Sequence, residues 1–284
     1  MGGLVWLASY PKSGNTWLRT FLHHLLLNPS QPLPPDELIR FTLGDHHRAW
    51  YDKAAGASTW GWPESEISKL RPRAQALMTG AFPDSVFVKT HSILSAVDDV
   101  PLICPEVTTG AIYVVRDPRD VVISAADHYG LTIDEMIDRM NSPTSTTGGT
   151  RDSVVTYHGT WSAHVRSWTH APMPGFLALR YEDMEQKPLK TFGGIAQFLG
   201  LKPPRERLER AIRFSSFKVV QNQEARHGFR ERSEHSQRFF RVGKSGQWKN
   251  KLTPEQVARI EHDHGTQMQR FGYLDAESLA ANAG

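Results

Sequence analysis

Leu4-Val-Trp-Leu-Ala-Ser-Tyr-Pro-Lys-Ser-Gly-Asn-Thr-Trp-Leu-Arg19 is an apolar run that breaks at Pro11 into a short Lys-Ser-Gly loop and resumes as a helix. The layout is that of an anion grip. A strand delivers the loop, Gly14 lets backbone N–H groups turn toward a ligand, Lys12 adds a point charge, and the helix aims its positive end at the same place. A phosphorylated cofactor is the expected occupant. A Walker A loop places Gly-Lys-Ser/Thr after four residues and a first glycine, whereas here Lys12 precedes Gly14, which weakens a nucleoside triphosphate reading.

Outward from this stretch, short apolar runs alternate with helical patterns. Strands are expected at 4–10, 85–90, 111–116 and 176–181, and helices at 14–27, 118–128, 153–169, 188–199, 204–213 and 254–270, the last capped by Thr253 before Pro254. Strands this continuous suit burial on both faces, so the expected class is α/β, a central parallel sheet with helices on both faces. Lys12, His91 and Arg116 then follow strand carboxyl ends, where such sheets bind ligands.

At 284 residues one core suffices, and a single domain over 1–284 is expected. Thirty-three Lys and Arg face thirty Asp and Glu, which argues against a nucleic-acid binder with a broad basic face. The lone cysteine, Cys104, excludes an internal disulfide framework and reads as a buried residue. No apolar stretch has the length of a membrane span and no secretory signal pattern opens the chain, so the expectation is a cytoplasmic protein that engages neither membrane nor nucleic acid. Residues 28–63, rich in proline and aromatics, and 130–152, rich in Ser, Thr and Gly, look like excursions from the core. They read equally as walls of a binding pocket and as packing or linker segments.

The loop Tyr10-Pro-Lys-Ser-Gly-Asn-Thr-Trp17 resembles the 5′-phosphosulfate loop of the PAPS-dependent sulfotransferases, with Asn15 at that pattern's first Thr position. Three further blocks follow in that family's order. Val86-Phe-Val-Lys-Thr-His91 is similar to its Lys-Thr-His strand end. Ala111 to Ser124, with Arg116 and Ser124 eight apart, is similar to its 3′-phosphate block. Arg241-Val-Gly-Lys-Ser-Gly-Gln-Trp-Lys249 is close to Arg-Lys-Gly-x-x-Gly-Asp-Trp-Lys and departs from it at Val242 and Gln247. Smaller echoes are Leu179-Arg-Tyr-Glu-Asp-Met184 and Ser215-Ser-Phe-Lys218.

The resemblance implies one P-loop-like domain akin to nucleotide kinases, PAPS as donor, PAP as product, and no metal. It implies His91 as base and Lys12 and Lys89 as charge stabilisers, each choice agreeing with the chemistry of the residue type. Ser13, Gly14, Asn15 and Thr16 are expected at the 5′-phosphate. Arg116, Ser124, Arg241 and Gly243 are expected at the 3′-phosphate, where Val242 removes a cation. Trp17, Phe217, Tyr181 and Ser215 are expected around the nucleoside. His46, Trp50, Tyr51, Trp60 and His128 are candidates for a small-molecule acceptor site. A homodimer is compatible with residues 249–257, which keep part of the family's C-terminal motif. The alternatives are an ATP-dependent P-loop kinase and a catalytically silent PAP binder. His262 and His264, two apart on a helix, point to different faces and suit no metal.

Overall fold

In the computed structural model of the chain, residues 2–170 and 175–275 are described, apart from the side chains of 38–40. The strands are β1 (Leu4–Ser9), β2 (Leu43–Gly44), β3 (Val86–Thr90), β4 (Ala96–Val97), β5 (Val100–Pro101), β6 (Thr108–Val115), β7 (Thr146–Thr147), β8 (Thr156–Tyr157) and β9 (Phe176–Arg180). The helices are α1 (Asn15–Leu27), α2 (Arg48–Ala55), α3 (Glu64–Lys69), α4 (Arg71–Met78), α5 (Pro118–Tyr129), α6 (Ile133–Met140), α7 (Trp161–Thr169), α8 (Tyr181–Gln186), α9 (Pro188–Phe198), α10 (Arg205–Phe214), α11 (Phe217–His227) and α12 (Pro254–Arg270). The main sheet has the order β2-β3-β1-β6-β9, and β3 runs parallel to both neighbours. Every residue of β1 is buried, as its unbroken apolar sequence requires. The α/β class expected from the alternation is the one observed.

The chain forms two compact units. The first comprises residues 1–10, 42–113 and 141–178; the second comprises 11–41, 114–140 and 179–284. In the first unit, Ala8 of β1 lies opposite Thr90 of β3, and Gly44 of β2 lies opposite Lys89. The buried Trp6 indole donates to Thr108 Oγ1 at 2.8 Å, so its polar edge is satisfied inside the sheet. Two buried arginines fasten the excursions. Arg48 donates to the carbonyls of Thr59, Thr150 and Ser153, and Arg71 donates to Tyr51 Oη and the Val155 carbonyl. Residues 48–59 and 150–155 are thereby joined through guanidinium groups, which offer several donors in a fixed plane.

The expected helix 153–169 is a correction. Thr156 and Tyr157 pair with β7, Gly159 takes φ +62°, and the helix starts only after Thr160, whose hydroxyl accepts from Ala163 N–H. The β-branched Val154-Val-Thr156 run favours extended backbone over a helical start. The short helices α2, α3 and α4 and strand β2 were not read from the sequence.

In the second unit, α12 begins with a complete capping box, Thr253 and Gln256 bonding reciprocally ahead of Pro254. Four carboxylates anchor its irregular segments. Glu231 takes both oxygens to Arg19, Glu224 accepts from Phe239 N and Phe240 N, Glu185 accepts from Ser245 N, and Asp120 accepts from Gly246 N and Trp248 N.

Three buried histidines give stability a pH dependence. Burial lowers His23, His164 and His264 from the ordinary 6.5 to about 4. The unfolded chain protonates these groups as the pH falls through 6.5, and the folded protein resists until about 4. Stability is therefore full above 6.5 and declines below it, by about 2 kcal/mol per histidine at pH 5. A urea midpoint that falls between pH 7.5 and 5, and falls less in His264→Leu, is the expected result; equal slopes in the two proteins would remove the cause.

Candidate functional site

The loop after β1 has an unusual backbone. Lys12 sits at φ +65° and Gly14 at φ +103°, both left-handed, on either side of Ser13. A lysine in that region costs of order 1 kcal/mol, and such alternation turns consecutive N–H groups toward one concave side. A side chain at position 14 would bring its Cβ within 2.7 Å of Tyr181 Cδ2, so the loop needs glycine on two counts. Asn15 begins α1 directly after Gly14, placing the helix N-terminus at the loop as the sequence implied.

Around this loop the second unit assembles most of the expected cofactor residues. The Lys12 ammonium lies over the Phe239 ring, 4.0 Å from its centroid. Arg116 donates from Nη1 to the Lys12 carbonyl at 3.1 Å and from Nη2 to the Lys244 carbonyl at 3.3 Å, with its guanidinium 4.3 Å from the Tyr181 ring centroid. Trp17 packs edge-on against Tyr181 and Phe192. Burial pushes the Tyr181 phenol up to about 12, against the opposing pull of Arg116, so it remains a hydrogen-bond donor. Ser13 Oγ, Trp17 Nε1 and Arg116 Nε are buried without a hydrogen-bond partner. Three unsatisfied donors at one loop suit an anionic, multiply accepting ligand.

Thr16 Oγ1 accepts from Arg19, and Asn15 is buried in the first turn of α1. Ser124 lies on α5 and is partly exposed, and His128 near that helix's end packs edge-on to Phe239. Arg241 pairs with Asp127 at 3.1 Å, and Val242 is exposed. Arg119 pairs with Asp117 and Glu261.

One expectation here changes. Ser215 is fully buried and donates to the Ile212 carbonyl, so a helix-end role replaces the ligand contact. Gly243 lies close against the Phe217 ring: a Cβ there would come within 1.9 Å of Phe217 Cδ2, at φ +67°. Gly243→Ala should cost about 1–3 kcal/mol in stability through this clash and the left-handed backbone. A denaturation midpoint equal to the wild type would show that Phe217 moves away freely.

In the first unit, His91 follows β3. Its Nδ1 is 2.8 Å from the Ser9 carbonyl and 3.4 Å from Ser9 Oγ. A carbonyl only accepts, so Nδ1 carries the hydrogen and the lone pair of the neutral ring resides on Nε2. Thr90 donates to Asp45 Oδ2 at 2.6 Å, and Asp45 N–H donates to the Lys89 carbonyl. His46 is partly exposed with Nδ1 3.9 Å from Asp45, and Trp50 lies under Lys53. Trp60 is 54% exposed and faces Arg48. Tyr51 is a correction: it is completely buried with Ala54, Ile67, Ala74 and Val154, a packing group and not a wall of an open site.

Three residues escaped the sequence reading: Phe239 beneath Lys12, and Asp120 and Glu224, which hold residues 239–248. Asp120 within Arg-Asp-Pro-Arg-Asp was the available signal, though its partners lie far along the chain. Burial raises its carboxyl, with Arg116 and the Gly246 and Trp248 N–H groups pulling the other way.

A family model for the sulfotransferase domain matches residues 3–272. The chain belongs to the sulfotransferase family. Sulfotransferase 2A6 of Rattus norvegicus is 27% identical over 282 residues, 93% of this chain and 84% of that protein. Cytosolic sulfotransferase 16 of Arabidopsis thaliana is 26% identical over 289 residues, 90% of this chain and 73% of that protein. A crystal structure of retinol dehydratase in complex with androsterone and inactive cofactor PAP is similar in fold, with a TM-score of 0.64 at 20% identity, covering 93% of this chain and 80% of that one. Among the described residues there is no group of three or more His, Cys, Asp or Glu able to hold a metal ion. Among the described residues no helix is long and apolar enough to cross a membrane.

Proposed function

We propose that this sulfotransferase moves a sulfuryl group from PAPS to a hydroxyl of a small organic acceptor and releases PAP. The observation that carries the cofactor assignment is the pair of left-handed residues, Lys12 and Gly14, beside three unsatisfied buried donors, Ser13, Trp17 and Arg116. When bound, PAPS supplies the reactive phosphosulfate anhydride.

The residues would divide the work by charge and proton affinity. The turned N–H groups of 13–16, with the Lys12 ammonium, hold the 5′-phosphate and oppose charge that develops as it leaves. Arg116 and Arg241, with Ser124, serve the 3′-phosphate. Trp17 and Phe217 offer aromatic faces to the adenine. His91 Nε2 takes the acceptor's proton, because Nδ1–H is committed to the Ser9 carbonyl. Lys89, at the end of β3, adds positive charge beside that step. His46, Trp50, Trp60 and His128 are the residues assigned to the acceptor, and the two aromatics favour an apolar or aromatic molecule.

Calorimetric titration of metal-free protein with PAP, run beside ATP with Mg²⁺, tests the reading. Binding of PAP at about micromolar Kd or tighter, near −8 kcal/mol, with little response to ATP, is expected. Tight ATP binding without PAP binding would replace this function with kinase chemistry.

A further inference from the structure

Helix α7 holds the residues that follow β3 by three side-chain hydrogen bonds. His164 Nε2 lies 3.1 Å from the His91 carbonyl, Trp168 Nε1 donates to the Ser92 carbonyl at 3.0 Å, and Ser167 Oγ accepts from Leu94 N–H at 3.1 Å. Ile93 N–H donates to the Tyr157 carbonyl at 2.7 Å. On the strand side, Ser92 N–H donates to Thr90 Oγ1, which itself donates to Asp45. The main chain around His91 is thus fastened from both directions.

We propose that His164 is a positioning residue for the base: as its Nε2–H tautomer it fixes the His91 carbonyl, and Tyr113 fixes that tautomer. The proposal rests on His91 being the base, and it adds an element remote in sequence that sets where His91 stands.

The chemistry assigns each proton. The His91 carbonyl is an acceptor, so His164 Nε2 must carry hydrogen, which leaves a lone pair on Nδ1. Tyr113 Oη lies 2.9 Å from that Nδ1 and donates to it. Both groups are buried, His164 completely, which shields the Tyr113–His164 bond from competing water. The Tyr113 phenol is raised well above 10 by burial and keeps its hydrogen, and burial keeps His164 neutral down to about 4. Tyr10 packs edge-on against the His164 ring, 5.4 Å between centroids and 84° between planes, which stops the imidazole turning over. The order Tyr113 to His164 to His91 carbonyl therefore runs in one direction only. Loss of the central donor removes this hydrogen bond from the His91 carbonyl and loosens the backbone that aims the imidazole.

The test uses the full chain labelled with ¹⁵N at histidine, read by long-range proton–nitrogen correlation, with His91 and His164 assigned from His91→Gln and His164→Gln. Wild type should show His164 as the Nε2–H tautomer and His91 as Nδ1–H. His164→Leu should mix or broaden the His91 signals, and His164→Gln, whose amide can restore the donor, should return them. With an acceptor found by screening labelled PAPS, His164→Leu should lower kcat by about tenfold or more through misplacement of the base. KM and PAP affinity should be unchanged, and His164→Gln should recover kcat. Trp168→Phe, which deletes only one of the three side-chain hydrogen bonds, should give a smaller effect in the same direction and stands in if His164→Leu does not fold. His164 found as the Nδ1–H tautomer, or His91 signals and kcat unaltered in His164→Leu and Trp168→Phe, would overturn the proposal. Full transfer by His91→Ala would instead overturn the base assignment, with the tautomers as measured.

Discussion

Replacement of His91 by alanine is expected to slow sulfuryl transfer by about 10²–10⁴-fold, the usual worth of a positioned general base. PAP affinity should stay within about threefold of the wild type, since the loss belongs to the transition state and not to cofactor binding. The structure gives the reason for the separation. The His91 ring is anchored to the Ser9 carbonyl through Nδ1, whereas the left-handed turn and its unsatisfied donors lie at residues 12–17 and at Arg116. Removing the imidazole deletes the proton acceptor and leaves those groups in place. PAP titration followed by single-turnover transfer from labelled PAPS measures both quantities. A parallel loss of PAP affinity would mean that His91 contributes to the cofactor and not to the proton.

Lys12→Ala should damage both steps. A charge-assisted contact to phosphate is worth about 1.5–3 kcal/mol, so PAP affinity should fall by about 10–100-fold. Transfer should fall further, by about 10²–10³-fold beyond the binding loss, if the ammonium also opposes charge on the departing phosphate. Alanine suffers the left-handed penalty at φ +65° as lysine does, so the substitution removes the amine without relieving backbone strain. It also removes the cation from the face of Phe239, a contact worth about 1 kcal/mol. Phe239→Leu separates that effect. If Phe239→Leu reproduces the whole loss, Lys12 works through the aromatic ring and not through phosphate.

The parts legible in the sequence are those where local pattern and burial agree. The continuous apolar run of β1, the break at Pro11 and the reversal at Gly14 follow from adjacent residues, and so does the Thr253 cap of α12. What escaped reading depends on partners distant in the chain. Helices α2 to α4 are polar and interrupted by Gly and Pro, and their order derives from Arg48 and Arg71, whose acceptors lie in residues 150–155. The helix expected from 153 begins at Trp161 because β8 pairs with β7, a contact that no periodicity announces. At the site, Arg116, singled out by its motif, lies beside the Lys12 loop and donates to the Lys12 carbonyl. The carboxylate at Asp120 and the ring at Phe239 act on segments more than a hundred residues away in the chain, beyond the reach of spacing rules.

The carboxylates that anchor residues 239–248 grip main-chain N–H groups: Glu224 those of Phe239 and Phe240, Glu185 that of Ser245, and Asp120 those of Gly246 and Trp248. Every residue but proline carries an N–H, so these backbone anchors do not depend on side-chain identity, although Gly243 against Phe217 still needs glycine. Val242 points to solvent and Gln247 merely donates to the Lys244 carbonyl. A cation at 242 or an acid at 247 would therefore fit on the same backbone path, which can carry different surface charge.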